Sequence, residues 1–217
     1  MNYEIESSLD AYVDSHISQE PEHLRRLTRE SNLRLVNGRM VSGHLQGRLL
    51  KMLTQLCAPH LAVELGTFTG YSALCIAEGL PEDGRLVTIE VDDELEDFIR
   101  RQLDASELGP KVELRIGAAL DICRGFPDGS VDMMFIDADK RQYPAYLKEG
   151  ARMLRPGGLM IVDNTLWSGH VCDPAYKDPQ TRGVREFNDM ASTLPGFETV
   201  ILPIRDGISL LRKKNQG

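Results

Sequence analysis

The sequence predicts an α/β fold, a mostly parallel sheet with helices on both faces, and three features carry that prediction. From Leu61 onward, short apolar runs (LAVEL, RLVTIE, VELRI, VDMMFID, GLMIVD) alternate with helix-length amphipathic segments such as DDELEDFIRRQLDAS. This is the pattern of repeated strand–helix–strand units, whose long crossovers return each strand parallel to the last. VDMMFI and LMIV are almost continuously apolar, which marks strands covered on both faces and therefore central. The last two runs, FETVILPI and GISLLR, are joined by only a few residues around Arg205, Asp206 and Gly207, a link that permits a hairpin and forbids a crossover. The expectation is a sheet of about seven strands, parallel except for one antiparallel strand at the C-terminal end.

The 217 residues are read as one domain, with a helical segment over 1–56 ahead of a core over 57–212. Residues 4 to 56 read as three helices, from Glu4, from Glu20-Pro21 and from about His44. They belong to no strand and are expected to form a lid, a surface for a homodimer, or both. The residues after Leu211 are expected to be loose.

With 41% hydrophobic and 27% charged residues the composition is that of a globular protein. A net charge of −8 argues against gripping a nucleic acid and suits small or cationic ligands. No run approaches the roughly 18 apolar residues of a membrane span. The start, MNYEIESSLD, lacks the regions of a signal peptide, so a cytoplasmic location with no membrane partner is expected. Cys57, Cys75, Cys123 and Cys172 form no Cys-x-x-Cys pair and are expected to be free thiols. His16, His23, His44, His60 and His170 show no ligand spacing, so any metal must be held by oxygen.

In open α/β sheets ligands bind beyond the carboxyl ends of the strands, near the first strand. The loop there reads Glu64-Leu65-Gly66-Thr67-Phe68-Thr69-Gly70-Tyr71-Ser72. Gly66 allows close backbone approach, and a helix starting near Gly70 offers free N–H groups to an anion. The pyrophosphate pattern Gly-x-Gly-x-x-Gly is missing, which disfavours a dehydrogenase, and there is no Walker lysine. Glu90 ends RLVTIE where an acidic side chain can accept both hydroxyls of a ribose. A nucleoside with an anion but no pyrophosphate is implied, and S-adenosylmethionine fits. For Glu64 the plainer expectation is a solvated strand-end carboxylate, and for Gly66 a turn glycine.

The stretch FIDADKRQY sets Asp137, Asp139 and Lys140 at the end of the fourth strand, on the same rim. GLMIVDN brings Asp163 and Asn164 to the neighbouring position. Two carboxylates and an amide oxygen form a hard donor set for Mg²⁺, or for Mn²⁺ or Ca²⁺. Lys140 is placed to take a proton from an attacking hydroxyl, its amine favoured in the neutral form beside a cationic metal. The alternative is a surface lysine paired with Asp137 or Asp139. Asp139 could ligate metal or touch the cofactor, and its rim position favours the latter.

VELGTFTGYSAL, FIDADKRQY and IVDNTLWSGHV together resemble the cation-dependent O-methyltransferases of the catechol and caffeoyl-CoA type, a likeness that runs from about Gly38 to Leu211. The resemblance implies a Rossmann-like class I methyltransferase fold, S-adenosylmethionine as methyl donor, and a divalent cation at Asp137, Asp163 and Asn164. It implies cofactor contacts from Ser42, Glu64, Gly66, Thr67, Ser72, Glu90, Ala119 and Asp139, and Lys140 as the catalytic lysine. Ser168 falls where plant members contact substrate with an asparagine. IGAALD has Ala118 where many bacterial members carry Asp, which puts a side-chain contact to the adenine in doubt. No acyl-CoA-binding feature is recognisable in the N-terminal segment, which favours a free catechol or similar aromatic vicinal diol. Asp137, Trp167 and Ser168 are the expected substrate contacts. Trp167 and Tyr143 either flank a flat ring or pack a lid against the sheet, and Met40 and the Arg205-Asp206-Gly207 turn are expected to line the same pocket. Methylation of a hydroxylated uridine in transfer RNA, or a cofactor-binding protein that has lost its chemistry, stand as alternatives.

Overall fold

Seven strands cross the computed structural model, which describes residues 3–215. They are β1 (Leu61–Leu65), β2 (Arg85–Glu90), β3 (Val112–Ile116), β4 (Val131–Ile136), β5 (Leu154–Val162), β6 (Phe197–Leu202) and β7 (Ile208–Lys213). Their order is β3-β2-β1-β4-β5-β7-β6. β1 through β5 pair in parallel, and β7 runs antiparallel to both β5 and β6. The single reversed strand expected from the sequence is therefore β7. Its place inside the sheet, between β5 and β6, follows from side-chain character. Ile208, Ser209 and Leu211 of β7 are buried, whereas β6 leaves Val200 and Ile201 exposed and takes the edge.

The helices are α1 (Tyr3–His16), α2 (Glu22–Arg34), α3 (His44–Cys57), α4 (Tyr71–Gly79), α5 (Glu96–Asp104), α6 (Ala119–Cys123), α7 (Tyr143–Met153) and α8 (Pro179–Ser192). The first three begin where the sequence places them. Asp178 caps α8, its side chain accepting from the Gln180 and Thr181 amides. Because side chains alternate across a strand, the sheet feeds two cores. Ala62, Leu86, Met133, Phe135 and Ile161 pack under α2, α3, α4 and α5. Val63, Leu65, Ile89, Met134, Ile136 and Val162 pack under α7 and α8. No helix among the described residues is long and apolar enough to cross a membrane.

Two ties fasten the ends of the chain. Arg48 and Lys51 of α3 both reach Glu78 of α4, at 2.7 and 2.5 Å, so the N-terminal segment is anchored to the first crossover helix. The tail is more ordered than expected after Leu211, because β7 continues to Lys213 and Lys213 Nζ donates to the Ala151 and Leu154 carbonyls, both at 2.7 Å. Residues 216 and 217 lie outside the described residues.

Gly66, just past β1, has φ of 95°, and a Cβ built there would stand 2.1 Å from the Asp137 carbonyl oxygen. The loops after β1 and β4 thus touch backbone to backbone. Gly66→Ala adds both overpacking and positive-φ strain, and we expect a loss of about 3 kcal/mol or more in urea unfolding.

Candidate active site

The carboxyl ends of the central strands form one rim because the ladder bonds run one residue beyond each strand. The Gly66 amide donates to the Ile89 carbonyl, Asp137 to Leu65 and Asp163 to Ile136, each at 2.9 Å. Backbone positions of the rim residues are therefore set by the sheet rather than by the loops that follow.

Asp163 is only 4% exposed. Its Oδ2 accepts from Gln46 Nε2 at 2.6 Å, its Oδ1 accepts from the Asn164 amide at 2.7 Å, and its carbonyl accepts from the Tyr143 hydroxyl at 2.9 Å. Burial first, and then the negative charge of Asp137, push its carboxyl above the ordinary carboxylate range. Asp137 Oδ1 accepts from Lys140 Nζ at 2.7 Å, and the Lys140 side chain is 10% exposed. Lys140 is therefore no surface lysine, though it does pair with Asp137. Its Nζ also lies 5.9 Å from the centre of the Trp167 ring. Asn164 follows with φ of 56°, a left-handed conformation that its short polar side chain tolerates.

The donor chemistry here fits a hard divalent cation. Two carboxylates that repel one another and an adjacent amide are oxygen ligands, and no soft thiolate or imidazole intrudes. Among the described residues no cluster of three or more His, Cys, Asp or Glu side chains is placed to hold a metal ion. A cation at this rim would thus rely on the Asn164 amide beside Asp137 and Asp163.

On the β1–β2 side, Glu64 is completely buried, contrary to the solvated carboxylate the sequence leaves open. Register sets it opposite Thr88, whose hydroxyl donates to Glu64 Oε2 at 2.5 Å and also meets the Thr67 hydroxyl at 2.5 Å. Ser72, from the first turn of α4, is also buried. Among the described residues Oε1 of Glu64 has no hydrogen-bond partner. Burial raises the Glu64 carboxyl to about 8, the hydroxyls of Ser72 and Thr88 offsetting only part of that rise. Glu90 caps the same loop, its oxygens accepting from the amides of Phe68 at 2.7 Å, Val91 at 2.9 Å and Asp92 at 3.0 Å.

The remaining expected residues divide. Ser42 is buried just before α3, and Ala119 opens α6 half-buried. Asp139 turns to its own loop, in an ion pair with Arg141 at 2.8 Å that holds its carboxyl below the usual range. Trp167 is half-buried and Ser168 exposed, both with φ near 50° (47° and 51°), and the Ser168 amide donates to Asp206 Oδ1. Tyr143 cannot flank a substrate ring, because its ring is fully buried against Phe187. It packs instead, with its hydroxyl on Asp163. Gln46 and Thr88 were not anticipated. Thr88 shares a strand face with Glu90 and could have been read from that spacing, whereas Gln46 meets Asp163 across 117 residues and leaves no local signal. Two open clefts lie off the rim: one of about 480 Å³ lined by Arg26, Glu30, Arg34 and Arg101, the other of about 570 Å³ at the opposite ends of the strands near His60 and Asp83.

Residues 14–214 match the family model described as O-methyltransferase. The chain belongs to the O-methyltransferase family. It is 35% identical to a catechol O-methyltransferase of Niastella koreensis over 93% of this chain and 92% of that one. It is 32% identical to a caffeoyl-CoA O-methyltransferase of Petroselinum crispum over 90% of this chain and 85% of that one. Among solved structures, the O-methyltransferase TomG of Streptomyces achromogenes in complex with SAM superposes with a TM-score of 0.90 at 30% identity, covering 99% and 100% of the two chains. An O-methyltransferase of Bacillus cereus in complex with SAH gives 0.88 at 29% identity, covering 95% and 97%. The class I methyltransferase fold expected from the sequence is the fold observed.

A carboxyl raised from an ordinary value of 4.5 to about 8 makes the native state bind more protons than the unfolded chain between those values. Stability must therefore fall as pH rises across that window. For the protein without ligands, urea midpoints at pH 5, 7 and 9 are expected to show this decline, on the order of a few kcal/mol, and Glu64→Gln is expected to lack it.

Proposed function

We propose that this enzyme transfers a methyl group from S-adenosylmethionine to one hydroxyl of a catechol-like vicinal diol, with a divalent cation at Asp137, Asp163 and Asn164 and with Lys140 as general base. The observation that carries this reading is the buried Lys140 amine 2.7 Å from Asp137, on a rim where Asp163 is already crowded by a second carboxylate. A divalent cation there, Mg²⁺ before Mn²⁺ or Ca²⁺, would offset that repulsion and hold two vicinal oxygens of a substrate.

Each residue then has a task. Lys140 Nζ, with its amine neutral, would take the proton from the hydroxyl that attacks, and S-adenosylmethionine, when bound, would supply the methyl group with its sulfur as leaving group, with no covalent enzyme intermediate. Gly66 and Thr67 would supply backbone at close approach to the cofactor, buried Ser42 and Ser72 would add their hydroxyls, and Ala119 would border the adenine side. Glu64 Oε1, buried and without a partner, is the acceptor that a donor group of the cofactor would satisfy. Glu90 takes the ribose hydroxyls on lone pairs left free by the amides it caps. Asp139 meets the cofactor after exchanging Arg141 for it. Trp167 covers one face of the substrate ring, with Ser168 at its edge and Asp137 at its hydroxyls. Catalysis rests on positioning and charge.

The N-terminal helices serve as lid and homodimer surface in this reading. Leu33, Val36, Met52 and Leu56 are 60% exposed or more, with Val36 fully so, an apolar set that a second copy would cover. A net charge of −8 favours a small diol over nucleic acid, and a cytoplasmic location accords with it.

Methyl transfer from labelled S-adenosylmethionine to 3,4-dihydroxybenzoate is expected with Mg²⁺, is abolished by EDTA and returns when Mg²⁺ is restored; transfer that survives EDTA sinks the cation. Lys140→Ala is expected to lower kcat by about 10²–10⁴-fold while calorimetry shows cofactor binding intact. Light scattering should give a dimer mass, and a monomer mass removes the dimer from the reading.

A further inference from the structure

We propose that Arg205 selects diols that also carry a carboxylate, by pairing with that carboxylate at the mouth of the site; this rests on the methyl-transfer reading above. Three neighbouring cations are committed. Lys140 holds Asp137, Arg141 holds Asp139, and Arg185 is spent on the carbonyls of His170, Val171, Asp173 and Tyr176. Arg205 is exposed, and among the described residues no carboxylate or carbonyl engages it.

Its place in the fold is specific. Arg205 lies in the turn between β6 and β7, closed by the Gly207 amide donating to Ile204 at 2.9 Å. That turn is stitched to the chain leaving β5. The Thr165 amide donates to the Gly207 carbonyl at 3.0 Å, the Leu166 amide to the Asp206 carbonyl at 2.9 Å, and the Ser168 amide to Asp206 Oδ1. From there the Arg205 guanidinium reaches across to the opposite wall, where Nη1 stands 3.0 Å from the position a Cβ on Gly43 would occupy. Gly43 joins buried Ser42 to α3, whose Gln46 holds Asp163. The cation therefore spans the gap between the Ser42–Gln46 wall and the Trp167–Ser168 loop.

Two further features argue that the cation has a task. Arg205 has φ of 51°, a left-handed conformation that a long side chain adopts only at a cost in strain. Charge is also sorted by exposure, with Asp163 buried and Asp137 half-buried at the strand ends and Arg205 exposed in the turn between β6 and β7. Asp206, the carboxylate next to it, faces the Ser168 amide instead. A flat diol that sends its hydroxyls to the floor carries its far substituent outward, and a planar guanidinium there matches a carboxylate in a forked geometry.

The test compares 3,4-dihydroxybenzoate with uncharged catechol in the wild type, in Arg205→Gly, whose backbone suits the turn, and in Arg205→Lys. With Arg205→Gly, KM for the acid is expected to rise about five-fold with kcat unchanged, while values for catechol stay put and Arg205→Lys recovers part of the difference. Equal changes for both diols, or none, overturn the proposal while leaving the methyl-transfer reading in place. If wild type methylates neither diol, the methyl-transfer reading fails. Calorimetric binding of 3,4-dihydroxybenzoate then decides for Arg205: weakened binding in Arg205→Gly upholds the pairing, and unchanged or absent binding ends it.

Discussion

The contact between the loops after β1 and β4 governs everything built on the rim. Gly66 meets the Asp137 carbonyl with no room for a methyl group, so the loop that carries Thr67 and Ser72 and the loop that carries Asp137 and Lys140 are two sides of one joint. Any residue with a Cβ at position 66 would part them, and the distance between a donor bound on one side and an acceptor bound on the other would grow with it. Reactions that depend on positioning lose rate steeply when reacting atoms drift apart. The sheet enforces the same joint from below, since Gly66, Asp137 and Asp163 all take their amides into its ladder.

Around this joint the protein buries acids that water would otherwise stabilise. Glu64 and Asp163 are both almost inaccessible, and both carboxyls are raised by burial. Each is answered by hydroxyl or amide donors: Thr88 for the first, Gln46 and the Asn164 amide for the second. The answer is incomplete at Glu64, whose Oε1 has no hydrogen-bond partner among the described residues, which is how binding sites are commonly left. Gln46 also ties the N-terminal helices to the ends of the central strands, because a shift of α3 would withdraw a donor from Asp163.

The features legible in the sequence were those with a local or periodic signature. Strand runs, the crossover segments and the hairpin around Gly207 follow from side-chain periodicity and link length, and FIDADKRQY announced its rim position by standing directly behind an apolar run. What escaped were the consequences of pairing at long range. The insertion of β7 between β5 and β6 depends on which of two similar strands is the more apolar on both faces. The Gln46–Asp163 bond, the burial of Tyr143 and the engagement of Asp139 by Arg141 depend on where side chains turn once the loops are closed. Lys213 shows the same limit, since its bonds to two carbonyls of the α7–β5 connection order a tail that composition alone makes look loose.

The position of β7 has a bearing on how the chain matures during synthesis. Because β7 fills an interior slot of the sheet, β5 lacks one neighbour until the chain that follows β6 has been made. The turn that steadies Thr165, Leu166 and Ser168 arrives with it. A nascent chain thus presents an open sheet edge beside Asp163 until β7 pairs with β5. Pairing of β7 thus covers the edge of β5 and steadies the loop from Thr165 to Ser168 in a single event.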